Sequence, residues 1–320
     1  MTSLAPLASS PVPSPVPPPV PPVPPEPLPP FDQALWKPRW RVVRHIFDYQ
    51  ARLQANLCCL DPGAPPADLT KELEDVVAQC KALHKEDENS ERRRAVRDQG
   101  YAKTMENLLV FHGVGASWRD RSVLEREMPV LWEIMDTLTR GEARAALFHY
   151  KAKYMQRRPY ELEPELRPLV NDILKDPDNP DAPFEKGANP GHPAYPSGHT
   201  HQRYLAALVL DHIVHPVARD PEARRKMYEL AQEIGENRER AGVHYRSDTE
   251  AGRRLAVAVL PHFLAAFAEP IAEARQEFAA WWAKHGPNRT SVLSLTAHDA
   301  VATSPPLGPL ASNPAASSGL

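Results

Sequence analysis

Apolar residues in this chain return every three to four positions and nowhere settle into alternation. Val43, Ile46, Phe47, Leu53, Leu57 and Leu60 keep that period, and so do Leu69, Leu73, Val76, Val77, Cys80 and Leu83. A stripe at this spacing lies along one face of an α-helix, whereas a half-buried strand needs a period of two. The punctuation agrees. Asp61-Pro62-Gly63 closes the first segment, and Asp220-Pro221 sets an N-cap acid before a proline at the first helical position. Ser122-Val123-Leu124-Glu125 and Ser247-Asp248-Thr249-Glu250 both read as capping boxes. Further helices are expected over 142–157, ending at Pro159, over 199–213, and from Pro221 to about Arg238. The last begins at the second box and bends at Pro261 or Pro270. Residues 160–195, rich in Pro, Asp, Asn and Gly, read as a long irregular connection. No segment reads as a strand and no repeat is present, so the expected fold is all-α, a multi-helix bundle.

Proline limits the bundle. Most of the excess among 37 prolines sits at the two ends. Residues 1–30 lack backbone donors and bury little, so they are expected to be an extended, disordered spacer, and residues 287–320 a disordered tail. The folded unit is then 31–286. Hydrophobic residues at 42% supply a core, and a net charge of -3 without a basic stripe gives no nucleic-acid footprint. The best membrane candidate, 255–268, is short and interrupted by Pro261 and His262, so no integral membrane segment is expected. The N-terminus carries neither the basic nor the apolar part of a standard signal peptide. Cys58, Cys59 and Cys80 are odd in number and read as free, buried thiols, with a bridge from Cys58 or Cys59 to Cys80 as the alternative. The charged run 85–97, with Arg92-Arg93-Arg94, reads as a solvated helix surface.

Three short patterns carry chemistry. They are Lys151 with Arg158-Pro159, then Pro196-Ser197-Gly198-His199, then Arg238 with His244 and Asp248. Cations neutralise phosphoryl oxygens. Lys151 and Arg158, seven apart, are expected on one helix face. Ser197 and Gly198, where a loop becomes a helix, offer backbone N–H groups to an anion. Asp248 can fix the tautomer of His244 and leave its other nitrogen nucleophilic, while His199 serves as general acid. Alone, each piece is commonplace: lysines and arginines on helices are usually solvated, and a His four before an Asp is often a surface pair. Their order and company point to a phosphohydrolase, and a pair of histidines working in opposite protonation states points to an acidic optimum.

The three patterns resemble the signature of the type 2 phosphatidic acid phosphatase and vanadium haloperoxidase superfamily. Tyr195 to Thr200 and Gly242 to Asp248 are most similar to the soluble bacterial class A non-specific acid phosphatases. The resemblance covers roughly residues 95–285. It implies a phosphohistidine intermediate on His244 oriented by Asp248, with His199 as general acid. Phosphate would be bound by Lys151, Arg158, Ser197, Gly198 and Arg238. It implies no metal and no cofactor, a tendency to form a homodimer, and a periplasmic or secreted location, while the absence of membrane helices favours a small soluble phosphomonoester over an embedded lipid as substrate. The missing signal pattern leaves the cytoplasm as the other location. Asn237 departs from the pattern, which has Ser before the last arginine.

Competing readings remain. A vanadate-dependent haloperoxidase would use the same residues to hold vanadate. A lipid-phosphate phosphatase would act at a membrane surface. His199-Thr200-His201 with His244 and Asp248 could be drawn as a metal site, although Lys151, Arg158 and Arg238 would repel the cation. A helical scaffold with proline-rich arms explains the ends but not the constellation.

Overall fold

The computed structural model describes residues 41–88, 121–139, 144–175 and 191–286, with isolated positions between 90 and 109. Residues 1–30 and 287–320 lie outside the described residues. Among the described residues the regular elements are all helical and no strand occurs. The chain runs through α1 (Val43–Asn56), a 3-10 turn (Leu57–Cys59), α2 (Thr70–His84), α3 (Arg121–Glu127) and α4 (Pro129–Thr139). It continues through α5 (Ala145–Tyr154), α6 (Pro159–Leu162) and α7 (Leu166–Leu174). The last four are α8 (Gly198–Ala218), α9 (Pro221–Arg240), α10 (Arg246–Ala266) and α11 (Ala268–His285).

Helix α8 is the axis. From Gly198 to Leu210 all its residues except His199 and Leu208 are buried, which a helix allows only when neighbours cover every side. α9, α10, α11 and α4 pack around it, and α1 closes on α10. Two glycines permit the closest approaches. A Cβ at Gly252 of α10 would fall 2.6 Å from the Ser197 carbonyl oxygen, and one at Gly235 of α9 would fall 2.7 Å from Thr200 Oγ1. Both helices therefore press on the first turn of α8.

The apolar interior has two parts. The larger surrounds α8 and draws on α1, α4, α10 and α11. The smaller joins Val76, Cys80 and Leu83 of α2 to Val170 and Ile173 of α7 and to Ala241, Val243 and Tyr245 after α9. Burying such aliphatic side chains contributes ~1.5–3 kcal/mol each. The turn after α9 depends on Gly242. Its φ is +77, and a Cβ there would meet Val170 Cγ2 at 2.9 Å and Cys80 Sγ at 3.1 Å. This turn delivers His244.

Asp220 caps α9 as expected, accepting from the N–H groups of Glu222 and Ala223. Several expectations change. The stretch 160–195 is not wholly irregular, because α6 and α7 occupy its first half; 176–190 lie outside the described residues. Tyr160, Leu166, Val170 and Ile173 supply the apolar face that the polar composition hid. The run 85–97 is not all solvated. Arg93 is buried, donating to Asp172 Oδ2 at 2.8 Å and to the Glu86 carbonyl at 3.2 Å. The three cysteines are free, but Cys58 and Cys59 are exposed and Cys80 alone is buried, because the 3-10 turn lies outside the core. Ser122 falls inside α3, which begins at Arg121. No single helix among the described residues is long and apolar enough to cross a membrane; α10 and α11 reach that hydropathy only as a pair bent by 87°.

Candidate active site

The Lys151 and Arg158 side chains converge, but not as neighbours on one helix. α5 stops at Tyr154 because Met155 turns left-handed at φ 47, and Arg158 follows in extended backbone as the N-cap of α6. The Glu161 carboxylate fixes that position by accepting from the Arg158 N–H at 2.7 Å. The Lys151 ammonium donates to the Pro193 and Ala194 carbonyls at 2.6 and 2.8 Å. An ammonium has three donors, so one remains for an anion. Burial and the Arg158 guanidinium press the Lys151 ammonium well below the usual lysine range, with Asp248 opposing.

Arg158 ties three loops together. Its Nε donates to the His192 carbonyl at 3.1 Å and one terminal nitrogen to the Val243 carbonyl at 2.7 Å. That same nitrogen lies 3.4 Å from His244 Nε2. The other terminal nitrogen lies 3.3 Å from His192 Nδ1.

His244 Nδ1 stands 2.9 Å from Asp248 Oδ2. A carboxylate in that place accepts, so Nδ1 carries the proton and Nε2 presents its lone pair toward Arg158. Asp248 does more than orient the ring. Its Oδ2 also accepts from the Tyr245 N–H at 2.9 Å, so it is the acid of the capping box that starts α10. The box thus sits two residues earlier than Ser247 to Glu250 would place it. The Gln156 amide donates to Asp248 Oδ1 at 2.8 Å. Burial raises the Asp248 carboxyl, while the Tyr245 N–H and the charges of Lys151 and Arg158 favour its ionised form. His244 is held well below the usual imidazole range by burial, then by Arg158, Lys151 and Arg238.

Ser197 is the N-cap of α8, its hydroxyl facing the N–H and the hydroxyl of Thr200. Its own N–H donates to the Asp248 main-chain carbonyl at 2.9 Å. That N–H is therefore committed to the protein, which leaves Gly198 to offer a helix-start N–H. A Cβ on Gly198 would lie 3.1 Å from Leu147 Cδ2, so glycine here seats the helix start against α5, one turn from Lys151. His199 follows, partly exposed. Burial, then the charges of Arg238, Arg203, Arg158 and Lys151, hold its imidazole low. Arg238, in the last turn of α9, acts on both histidines. The structure thus brings Lys151, Arg158, His199, Arg238, His244 and Asp248 within electrostatic reach of one another, with Ser197 and Gly198 at the helix start that leads into His199.

No family model matches the chain. Curated proteins do. A non-specific acid phosphatase of Providencia stuartii is 29% identical over 160 residues, which are 49% of this chain and 56% of that protein. Another, of Salmonella typhi, is 28% identical over 154 residues, 48% of this chain and 54% of that protein. The chain is similar to bacterial non-specific acid phosphatases. It spans about half the length of the curated relatives it matches. The likeness and the three sequence patterns point to the same group.

Beyond the patterns shared with that group, four residues emerge only in the structure. Gln156 holds Asp248. Glu161 holds the backbone of Arg158. Glu72, from α2, accepts from the Ser247 N–H at 2.9 Å and so covers the start of α10. Arg203, one turn after His199, is fully buried and adds a fourth cation acting on it. Of these, only Arg203 had a readable signal: an arginine amid an apolar helix, four residues after a candidate catalytic histidine.

Proposed function

We propose that the chain hydrolyses small phosphomonoesters through a phosphohistidine on His244, using its own cations in place of a metal. One observation carries this reading: His244 gives Nδ1 to Asp248 at 2.9 Å while its Nε2 faces the Arg158 guanidinium at 3.4 Å. That is a nucleophile with its tautomer fixed, set beside the positive charge that a phosphoryl group needs. Nε2 attacks phosphorus, and the P–N bond forms as the ester P–O bond breaks. His199 gives its proton to the departing oxygen. Water then attacks phosphorus and returns a proton to His199, the P–N bond breaks, and inorganic phosphate leaves. Lys151, Arg158 and Arg238 balance the charge throughout, with the N–H groups at the start of α8. Residues 31–286 form the catalytic unit in this reading, and the motif resemblance supports action in the periplasm or outside the cell.

The test is hydrolysis of an aryl phosphate at mildly acidic pH in excess chelator, with acid-labile phosphate on the protein trapped by rapid quench. Chelator-resistant turnover and a phosphoenzyme, both absent in His244→Ala, are expected. Activity abolished by chelator would move the case to a metallohydrolase. Halide oxidation with vanadate and peroxide, in the absence of phosphatase turnover, would move it to a haloperoxidase.

A further inference from the structure

Beside the buried cations, one large apolar ring is left in the open. Phe148, on α5 one turn before Lys151, is 40% exposed, one of four large apolar side chains so exposed among the described residues. Its place in α5 turns it outward, off the stripe of Ala146, Leu147, Tyr150 and Lys151 that the helix buries. A single exposed ring is ordinary on a protein surface; what sets Phe148 apart is its place, one residue removed from the Arg158 guanidinium through His192.

The ring is built into its surroundings. The His192 imidazole meets it edge to face, with centroids 5.5 Å apart and planes at 88°. The Arg144 guanidinium lies 5.6 Å from the Phe148 centroid. His192 in turn rests on Arg158, through its carbonyl at 3.1 Å and its Nδ1 at 3.3 Å. Burial falls away along this line. Arg158 is buried, His192 is half-buried, and Phe148 is exposed. A phosphomonoester follows the same gradient, with its phosphate among the cations and its organic part toward solvent. Burial, then the charges of Lys151 and Arg158, lower His192 to about 4, so it is a neutral ring at working pH. The rim therefore presents two neutral aromatic rings and one guanidinium. Such a surface prefers a flat, electron-rich group that can stack; a polyol chain gains only hydrogen bonds from the guanidinium.

We propose that Phe148, His192 and Arg144 form the leaving-group subsite, and that the chain favours phosphomonoesters of planar aromatic alcohols over those of aliphatic polyols. The inference rests on the phosphatase reading above, and it adds the substrate class. Phe148 and Arg144 bind the leaving group; His192 also positions Arg158.

Two measurements on Phe148→Ala test it. The first is turnover of naphthyl phosphate and of glycerol phosphate, each compared with wild type so that intrinsic leaving-group reactivity cancels. Loss of one stacking partner should lower kcat/KM for the naphthyl ester about tenfold, mainly through KM, and change that for the glycerol ester less than about twofold. Inhibition by inorganic phosphate should be unchanged, and Phe148→Tyr should restore the aryl preference. The second is equilibrium binding of phenylphosphonate and methylphosphonate, which requires no turnover. The wild-type preference for the phenyl compound should fall about tenfold in Phe148→Ala. Equal losses on both esters, or an unchanged phenyl preference, overturn the subsite and leave the phosphatase reading standing. Failure of the wild type to bind either phosphonate or phosphate overturns both.

Discussion

Replacing Asp248 by Asn isolates a single charge. The geometry can survive the change. An Asn Oδ1 can stand where Asp248 Oδ2 now accepts from His244 Nδ1 and the Tyr245 N–H, each at 2.9 Å. The new amide would face Gln156, whose Nε2 now donates at 2.8 Å and whose Oε1 has no hydrogen-bond partner among the described residues. A flip of the Gln156 amide restores that pair. What disappears is the negative charge opposite His244 at the moment the proposed phosphorylation would make the ring cationic. With charge centres ~5 Å apart and an effective dielectric of ~20, the attraction is about 3 kcal/mol, or two to three powers of ten in rate. The assay is steady-state hydrolysis of an aryl phosphate alongside a thermal melt. The expected result is kcat lowered by that factor with the melting midpoint within a few degrees of wild type. Asp248→Ala should lose both, because the Tyr245 N–H and the Gln156 amide then have no acceptor. Full activity in Asp248→Asn would refute the assigned role, and a large fall in its midpoint would show that the carboxylate acts through architecture rather than charge.

Four further outcomes are expected. In the proposed mechanism His199 must carry a proton to act as general acid, and burial and four cations hold its imidazole well below the usual range, so kcat/KM should fall as pH rises; a flat profile from about pH 5 to 9 would count against it. Burial raises the Glu239 carboxyl to about 7. A raised acid favours its neutral form on folding, so its stabilisation is present below the unfolded value of ~4.3 and is lost as pH climbs to about 7. Glu239→Gln should match wild type near pH 4 and exceed it by up to about 3 kcal/mol above pH 7 in denaturant titrations. Gly252→Ala drives a methyl to within 2.6 Å of the Ser197 carbonyl and should cost ~1–3 kcal/mol in the same titrations, with activity falling because α8 and α10 both carry residues of the proposed site. In the native protein a thiol reagent should modify Cys58 and Cys59 quickly and Cys80 only on unfolding, since Cys80 is buried and its thiol is raised to about 11.

Much of this protein is local and therefore readable in the chain. Helical class follows from a period that any three successive turns display. The start of α9 follows from Asp220-Pro221, because cap and helix lie within four residues. The group of similar proteins follows from three short patterns whose residue types suit one chemistry. Tertiary structure decided how those patterns meet. Lys151 and Arg158 look like helix neighbours, yet the helix breaks at Met155, and the guanidinium is aimed by carbonyls 34 and 85 residues away at His192 and Val243. Asp248 orients His244 and caps α10 with one oxygen, and the Ser197 N–H is spent on the Asp248 carbonyl instead of an anion. Arg93 and the helices within 160–195 were hidden for a related reason. Polar composition describes a segment's average, whereas burial depends on the few side chains that find partners far along the chain. Periodicity and capping record interactions within a turn or two; a catalytic site is built from hydrogen bonds between loops, and only the closed fold brings those loops together.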